Sequence, residues 1–325
     1  MSEGGKTGRS ILASLRRATE EFDWRQYVIY IGFVIIFLFF AITLSGSGFL
    51  TPTNLLNVFR QTAVITVMAV AMTFVIGAAQ IDLSVGAVAG LASVTTAMAI
   101  DNFGLVPGIA AGLLTGLLVG AINGALVAIV AIPSFLVTLG MLGIARGAAM
   151  WITDTAPQPI ADDAYNFMFG SGDVGPVPSL AIWTFVSVIV GHIVLRKTRY
   201  GRRVLATGGN AVAARFSGVN TRQITFLVFA VMGVVAALGG MLYAGRLHSG
   251  RFQWGDGDEL SVIAAVILGG TSLFGGRATV IGTFLGALMI GLINNGLILM
   301  GLESSQQMIV RGLVIVAAVA LTRRK

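Results

Sequence analysis

Cysteine is absent from the 325 residues and histidine occurs only twice. Without cysteine there is no disulfide framework, thiolate nucleophile or cysteine-ligated metal site, and His192 and His248 alone do not make a metal cluster. Charge is also scarce, at 11% of residues, against ~25% in ordinary soluble domains. Acidic residues number 14 against 21 Lys and Arg, a net charge of +7. An excess of this kind, confined to short loops beside apolar runs, reads as membrane topology rather than nucleic-acid recognition. A complete phosphate-binding loop is missing as well. Gly5-Lys6-Thr7 has the end of one, but not the residues and strand that must precede it, so ATP is not bound by that route.

What fills the chain instead is apolar: 56% hydrophobic residues, with 43 Gly and 12 Met. That composition describes an all-α polytopic membrane protein with closely packed helices. Residues 1 to 26 form a polar tail carrying Lys6, Arg9, Arg16, Arg17 and Arg25, with the makings of a short amphipathic helix. The remainder, 27 to 325, reads as a single transmembrane domain. Tyr27 to Leu44 is a first uncleaved span, although Ser45-Gly46-Ser47 imitates a cleavage site. Further spans are expected at about 61–79, 83–100, 106–130, 135–151, 180–195, 223–244, 260–273, 278–300 and 308–322, about ten in all. Those following Asp82, Pro133 and Glu259 are short or interrupted by polar residues, as broken or re-entrant helices are.

Charge sets the orientation. The loop from Arg196 to Arg222 holds seven Lys and Arg and no acid, so it faces the cytoplasm. Both termini then lie inside, and cytoplasmic segments hold 16 cations against three outside, Arg60, Arg246 and Arg251. The longest external loop, 152 to 179, has Asp154, Asp162, Asp163 and Asp173 and no cation. It is expected to fold and to face a partner.

Two halves echo each other. Asp82-Leu83-Ser84-Val85 opens the third span and Glu259-Leu260-Ser261-Val262 the eighth; Gly120-Ala121-Ile122-Asn123 and Gly291-Leu292-Ile293-Asn294 follow them, at offsets of 177 and 171 residues. The copies are an odd number of spans apart and therefore oppositely oriented, an inverted repeat of the kind that builds transporters. Gly108, Gly112, Gly116, Gly120 and Gly124 make a row along one face of the fourth span, and Gly282 and Gly286 repeat it in the ninth. Such rows serve close helix crossing rather than chemistry. The pathway candidates are the polar residues of the spans, since burial in lipid is expensive. These are Asp82, Ser84, Asn123, Ser134, Thr138, Glu259, Asn294 and Asn295. Their hydroxyl, amide and carboxylate groups suit a polyol; Asp82 and Glu259 are also placed to cap helix N-termini.

Five runs, IDLSVGAVAGL at 81–91, IPSFLVTLGML at 132–142, YGRRVLATGGNAVAARFSGV at 200–219, ELSVIAAVILGGTSLFGGRATVIGT at 259–283 and GLINNGL at 291–297, together resemble the permease subunits of bacterial ABC importers for monosaccharides, the ribose, xylose, galactose and autoinducer-2 type. The resemblance runs from about residue 30 to the C-terminus. It implies an inner-membrane translocation subunit, not an enzyme, with no cofactor of its own. It implies as partners a second permease, most simply in a homodimer, a cytoplasmic ATP-binding subunit and a periplasmic sugar-binding protein. In such importers a short cytoplasmic helix meets the ATPase. Here that helix is expected at Asn210 to Ser217, where Asn210 can cap and Gly218 can end it, with Ala211, Ala214 and Phe216 as contacts and Arg215 as an anchor for acidic groups. The flanking Arg196 to Arg203 cluster suits anionic lipid. The rival readings are an ion-coupled secondary transporter, with Asp82 or Glu259 as its ion site, and a non-transporting scaffold.

Overall fold

The computed structural model describes residues 25–322. The tail helix expected within residues 1 to 26, and Arg323, Arg324 and Lys325, lie outside the described residues apart from Arg25, where the first helix begins. That helix, α1, spans Arg25–Thr43, and α2 (Pro52–Gly77), α3 (Val85–Phe103), α4 (Leu105–Ala128) and α5 (Ser134–Thr153) follow. After the 152–179 loop with α6 (Asp163–Asn166) come α7 (Ser179–Lys197), α8 (Arg199–Gly209), α9 (Ala211–Phe216), α10 (Thr221–Leu247), α11 (Asp258–Leu268), α12 (Val280–Leu299) and α13 (Ser304–Thr322). The protein is an all-α polytopic membrane protein. Among the described residues, seven helices, α2, α3, α4, α5, α7, α10 and α12, are long and apolar enough to cross a bilayer.

Every expected span meets a helix, but the expected interruptions are mostly not there. The segments after Asp82 and Pro133 form unbroken helices of 19 and 20 residues; the irregular backbone lies before them, at 78–84 and 129–133. Only α11, after Gly257, is short, at 11 residues. It spans roughly 16 Å at ~1.5 Å per residue, about half a bilayer. The chain then turns through Gly269–Thr279 before α12.

The helices sort by depth. In the most apolar stretch of α2, 83% of residues are buried within the protein, against 22% in α4 and 28% in α5. α2 is a central post, while α4 and α5 present Leu114, Leu118, Phe135 and Leu139 outward. Lipid tails are as apolar as leucine, so close backbone approach must hold such helices together. The glycine row of α4 supplies it. A Cβ on Gly116 would stand 2.2 Å from the Gly233 carbonyl oxygen of α10, and one on Gly120 would stand 2.4 Å from that of Phe229. The shorter row of α12 does the same on α11: Gly286 meets the Ala265 carbonyl at 2.2 Å and Gly282 that of Gly269 at 2.0 Å.

The packing is reciprocal. α10 lies on α4 and α3, and α2 lies on α12 and α11; α3 touches α4 and α5 as α11 touches α12 and α13. The first helix of each four-helix set thus packs on the second and third of the other, with α2 and α10 in contact at the centre. An approximate twofold relation between 52–153 and 221–322 produces this exchange, as the sequence repeat predicts.

Loops assigned to one side of the membrane also meet each other. In the 152–179 loop, β1 (Gln158–Pro159) pairs antiparallel with β4 (Ser249–Gly250), just beyond α10, and β2 (Asp173–Val174) pairs with β3 (Val177–Pro178). Arg60, before the apolar body of α2, bonds Asp173 at 2.8 Å. The loop has its own buried anchor: Tyr165 donates to the Met241 carbonyl at 2.9 Å and stacks on Phe169, which stacks on Trp183. The 152–179 loop is therefore folded, as expected. Two of its acids have structural tasks, Asp162 capping α6 and Asp173 pairing with Arg60, while Asp154 and Asp163 are exposed.

Candidate translocation and coupling sites

The irregular segment between α2 and α3 cannot satisfy its own amides, so side chains must do so. Asp82, 2% exposed, accepts from the Ser84 amide at 2.8 Å and from its hydroxyl at 2.6 Å. Asn123 of α4 donates to the Ser84 hydroxyl at 3.0 Å. From α5, Thr138 accepts from the Leu83 amide at 3.0 Å and Ser134 from the Ile81 amide at 3.2 Å. Five sequence-predicted residues thus converge on one turn. Their task there is largely to hold backbone: Asp82 stabilises the turn into α3 and does not cap the helix interior.

The second copy of the motif comes to the same place. A Cβ on Gly86 would stand 2.0 Å from the Gly255 carbonyl oxygen and 2.8 Å from Glu259 Oε2, and one on Gly90 would stand 2.6 Å from the Phe252 carbonyl. The first turns of α3 therefore lie directly on the backbone that leads into α11. Glu259 sits in the first turn of α11, at the favourable end of its dipole. Beside it, Arg146 of α5 pairs with Asp256 at 2.5 Å, and Tyr243 donates to Asp258 at 2.6 Å. Asn123 Oδ1 and Glu259 Oε2 are buried without a hydrogen-bond partner. Such acceptors call for a donor, and hydroxyls of a polyol or water fit them.

Asn294 and Asn295 do not join this network. Asn294 Oδ1 is buried and unpartnered. Asn295 exchanges amide bonds of 3.0 and 2.9 Å with Asn54, which ties α12 to the first turn of α2. Sequence reasoning missed Gly86, Gly255, Arg146 and Asp256. The one signal was Arg146, a cation within an apolar span.

At the C-terminal end of α2, the basic loop contains two helices where one was expected. α8 is a separate 11-residue helix capped by Thr198, and Gly208 and Gly209 are its last residues rather than a break before α9. Tyr200 of α8 stacks on Phe74 of α2, and burial pushes its hydroxyl pKa up to about 12. α9 follows the expected boundaries. Asn210 accepts from the amides of Val212 and Ala213 at 3.0 and 2.9 Å, and Gly218, at φ +81°, ends it. Ala214 is buried and Ala211 partly so; Arg215 and Ser217 bond back to the carbonyls of Ala211 and Ala213. Phe216 is 90% exposed, with Val212 beside it at 56%.

Three glycine pairs join this helix pair to the interior. A Cβ on Gly208 would stand 2.0 Å from the Gly77 carbonyl oxygen at the end of α2; the Gly276 amide donates to that same carbonyl at 3.1 Å. A Cβ on Gly275, at φ +78°, would stand 2.7 Å from the Gly208 carbonyl and 2.8 Å from Ala79 Cβ. The end of α8, the turn leading to Asp82 and the turn following α11 are therefore in backbone contact. Backbone meets backbone at this joint, with Ala79 Cβ beside Gly275 and the side chains of Leu205 and Ala278 beside Gly77.

A membrane-spanning helical fold with two motif copies meeting at a polar centre and a short exposed helix fits a transport permease. Residues 54–319 match the family described as branched-chain amino acid transport system / permease component. The chain is 40% identical over 293 residues to a ribose import permease protein of Bacillus subtilis (strain 168), covering 90% of this chain and 91% of the relative. It is 37% identical over 298 residues to a ribose import permease protein of Escherichia coli (strain K12), covering 90% and 92%. It is 35% identical over 303 residues to the L-arabinose transport system permease protein of the same strain, covering 93% and 92%. No solved structure matches. The chain belongs to this family of ABC transport permeases.

Proposed function

We propose that the protein is the inner-membrane permease of a monosaccharide ABC importer. A sugar delivered by a periplasmic binding protein passes it, and a separate cytoplasmic subunit supplies ATP hydrolysis. Sugar specificity of the ribose or arabinose kind is supported by the relatives' names and by the unpartnered acceptors at the meeting of the two motif copies. The second permease is another copy of this chain, both termini are cytoplasmic, and the 152–179 loop receives the binding protein.

The observation that carries the reading is α9. A 90% exposed aromatic residue on a capped, six-residue cytoplasmic helix costs apolar exposure to water, and the glycine joint at the end of α8, directly before that helix, meets the turn leading to Asp82 and the turn following α11. The ATP-binding subunit covers Phe216, with Arg215 beside it for acidic groups. When that subunit moves α9, the joint shifts the turns at 78–84 and 269–279 together, and with them the polar centre.

Reconstituted uptake with the binding protein and ATP-binding subunit is the test. Phe216→Ala or Arg215→Glu is expected to leave the permease folded and to separate ATP hydrolysis from sugar uptake. A variant complex that assembles, hydrolyses and transports like the parent would remove α9 from the coupling role. Uptake that persists without the ATP-binding subunit and follows a proton or sodium gradient would instead make the protein a secondary transporter.

A further inference from the structure

The outward face of α8 has no task in the fold or in the proposed coupling. Arg199, Arg202 and Arg203 recur at helical spacing on that face and are exposed, while Gly201, Val204, Thr207 and Gly208 are buried beneath. Among the described residues, none of the three guanidinium groups has an ion pair or a side-chain hydrogen bond. Like charges at these spacings repel along a helix, and residues 196–222 contain no acid to offset them. The three arginines instead line an open hollow of about 380 Å³ together with Ala206 and Val219. Val219 lies just beyond α9, so the hollow is formed by α8 and the segment that follows α9.

We propose that this pocket binds the phosphate group of an anionic glycerophospholipid of the inner leaflet. Guanidinium groups take phosphate oxygens in paired, charge-assisted hydrogen bonds, and three converge here on one opening. Placement favours a lipid over a soluble phosphate. α8 begins two residues after Lys197, where α7 ends; α7 carries the outward apolar residues Ile189, Val190 and Ile193. The pocket therefore sits at the edge of the bilayer, where anionic headgroups attract juxtamembrane cations. Its floor is apolar, as a glycerol backbone or upper acyl chain requires. Placement also favours a lipid over the acidic surface of a protein, since the exposed residues that suit a protein, Val212 and Phe216, are on α9. A bound headgroup would hold α8 at the membrane surface while α9 remains free to be engaged.

Native mass spectrometry of the purified full-length permease, titrated with phosphatidylglycerol, phosphatidylethanolamine and inorganic phosphate in turn, tests this without reference to transport. Phosphatidylglycerol is expected to be retained in preference to phosphatidylethanolamine. Replacing all three arginines by glutamine should weaken it about a hundredfold, and Arg202→Gln alone about fivefold; Arg222→Gln should leave it unchanged. The single change keeps the test decisive if the triple variant does not fold. Equal retention of phosphatidylglycerol by the parent and Arg202→Gln overturns the proposal. So does thermal stabilisation by inorganic phosphate at concentrations where phosphatidylglycerol gives none, or a triple variant that keeps its lipid and loses only the ATP-binding subunit. Since the readout is lipid retention, failure of the importer reading leaves it untouched.

Discussion

The two motif copies meet face to face, yet they are built differently. In the first, Asp82, Ser84 and Asn123 form a continuous chain of hydrogen bonds, reinforced from α5 by Ser134 and Thr138. In the second, Ser261 is buried but no hydrogen bond joins it to Asn294, whose oxygen is unpartnered, and Glu259 keeps a buried oxygen without a donor. The first turn opens a 19-residue helix and the second an 11-residue one. A satisfied buried network is rigid and an unsatisfied one is costly. The first copy is therefore the more fully bonded, with Asn123 Oδ1 alone of its named groups left without a donor, and the second is the half that gains most when a substrate or a movement supplies new partners.

The largest test of this contrast removes what the copies share. Gly116→Leu should prevent α4 from meeting α10, and Gly286→Leu should prevent α12 from meeting α11. Each clash is with backbone, so the cost should exceed the usual ~1–3 kcal/mol of overpacking and leave little folded protein in detergent extracts. Recovery of one variant at parental yield would show that only one half needs its crossing.

The next test separates the copies. Asp82→Ala strands a buried amide and hydroxyl and should destabilise by roughly 1–3 kcal/mol. Glu259→Gln should change equilibrium unfolding little, while altering the sugar concentration needed for half-maximal uptake. The contrast fails if Glu259→Gln unfolds as readily as Asp82→Ala. A smaller effect is expected at the joint, where Gly209→Ala, with only Gly276 Cα at 3.6 Å, should fold normally. Gly208→Ala, against the Gly77 carbonyl, should lower uptake per ATP hydrolysed. The smallest is Asn295→Ala, which should cost about 0.6 kcal/mol, the average for an interhelical hydrogen bond in a membrane, measurable by a double-mutant cycle with Asn54→Ala.

Much of this was legible in the residues. The capped cytoplasmic helix follows from Asn210 and Gly218, and the glycine rows announce helix crossings because only a missing Cβ admits backbone so closely. Of the eight polar candidates, Asp82, Ser84, Asn123, Ser134 and Thr138 come together, since a buried carboxylate, amide and hydroxyls in apolar runs must find partners. Their role was less legible. Asp82 and Glu259 look equivalent in sequence, but only one ended with its partners, because partners arrive from α4 and α5. Asn295 reads in the sequence as a pathway candidate; in the fold it exchanges amide hydrogen bonds with Asn54, far away in the chain.

Composition, charge placement and local pattern thus determined that the chain lies in a membrane, where its helices run and which loop is basic. These properties are set by each segment against its solvent, and each segment carries its own signal. The tertiary structure decided which half is closed, which arginine pairs with which acid, and that Gly77, Gly208 and Gly276 share one joint. Those depend on distances between residues far apart in the chain, and no local property of a glycine records which backbone will come to rest against it.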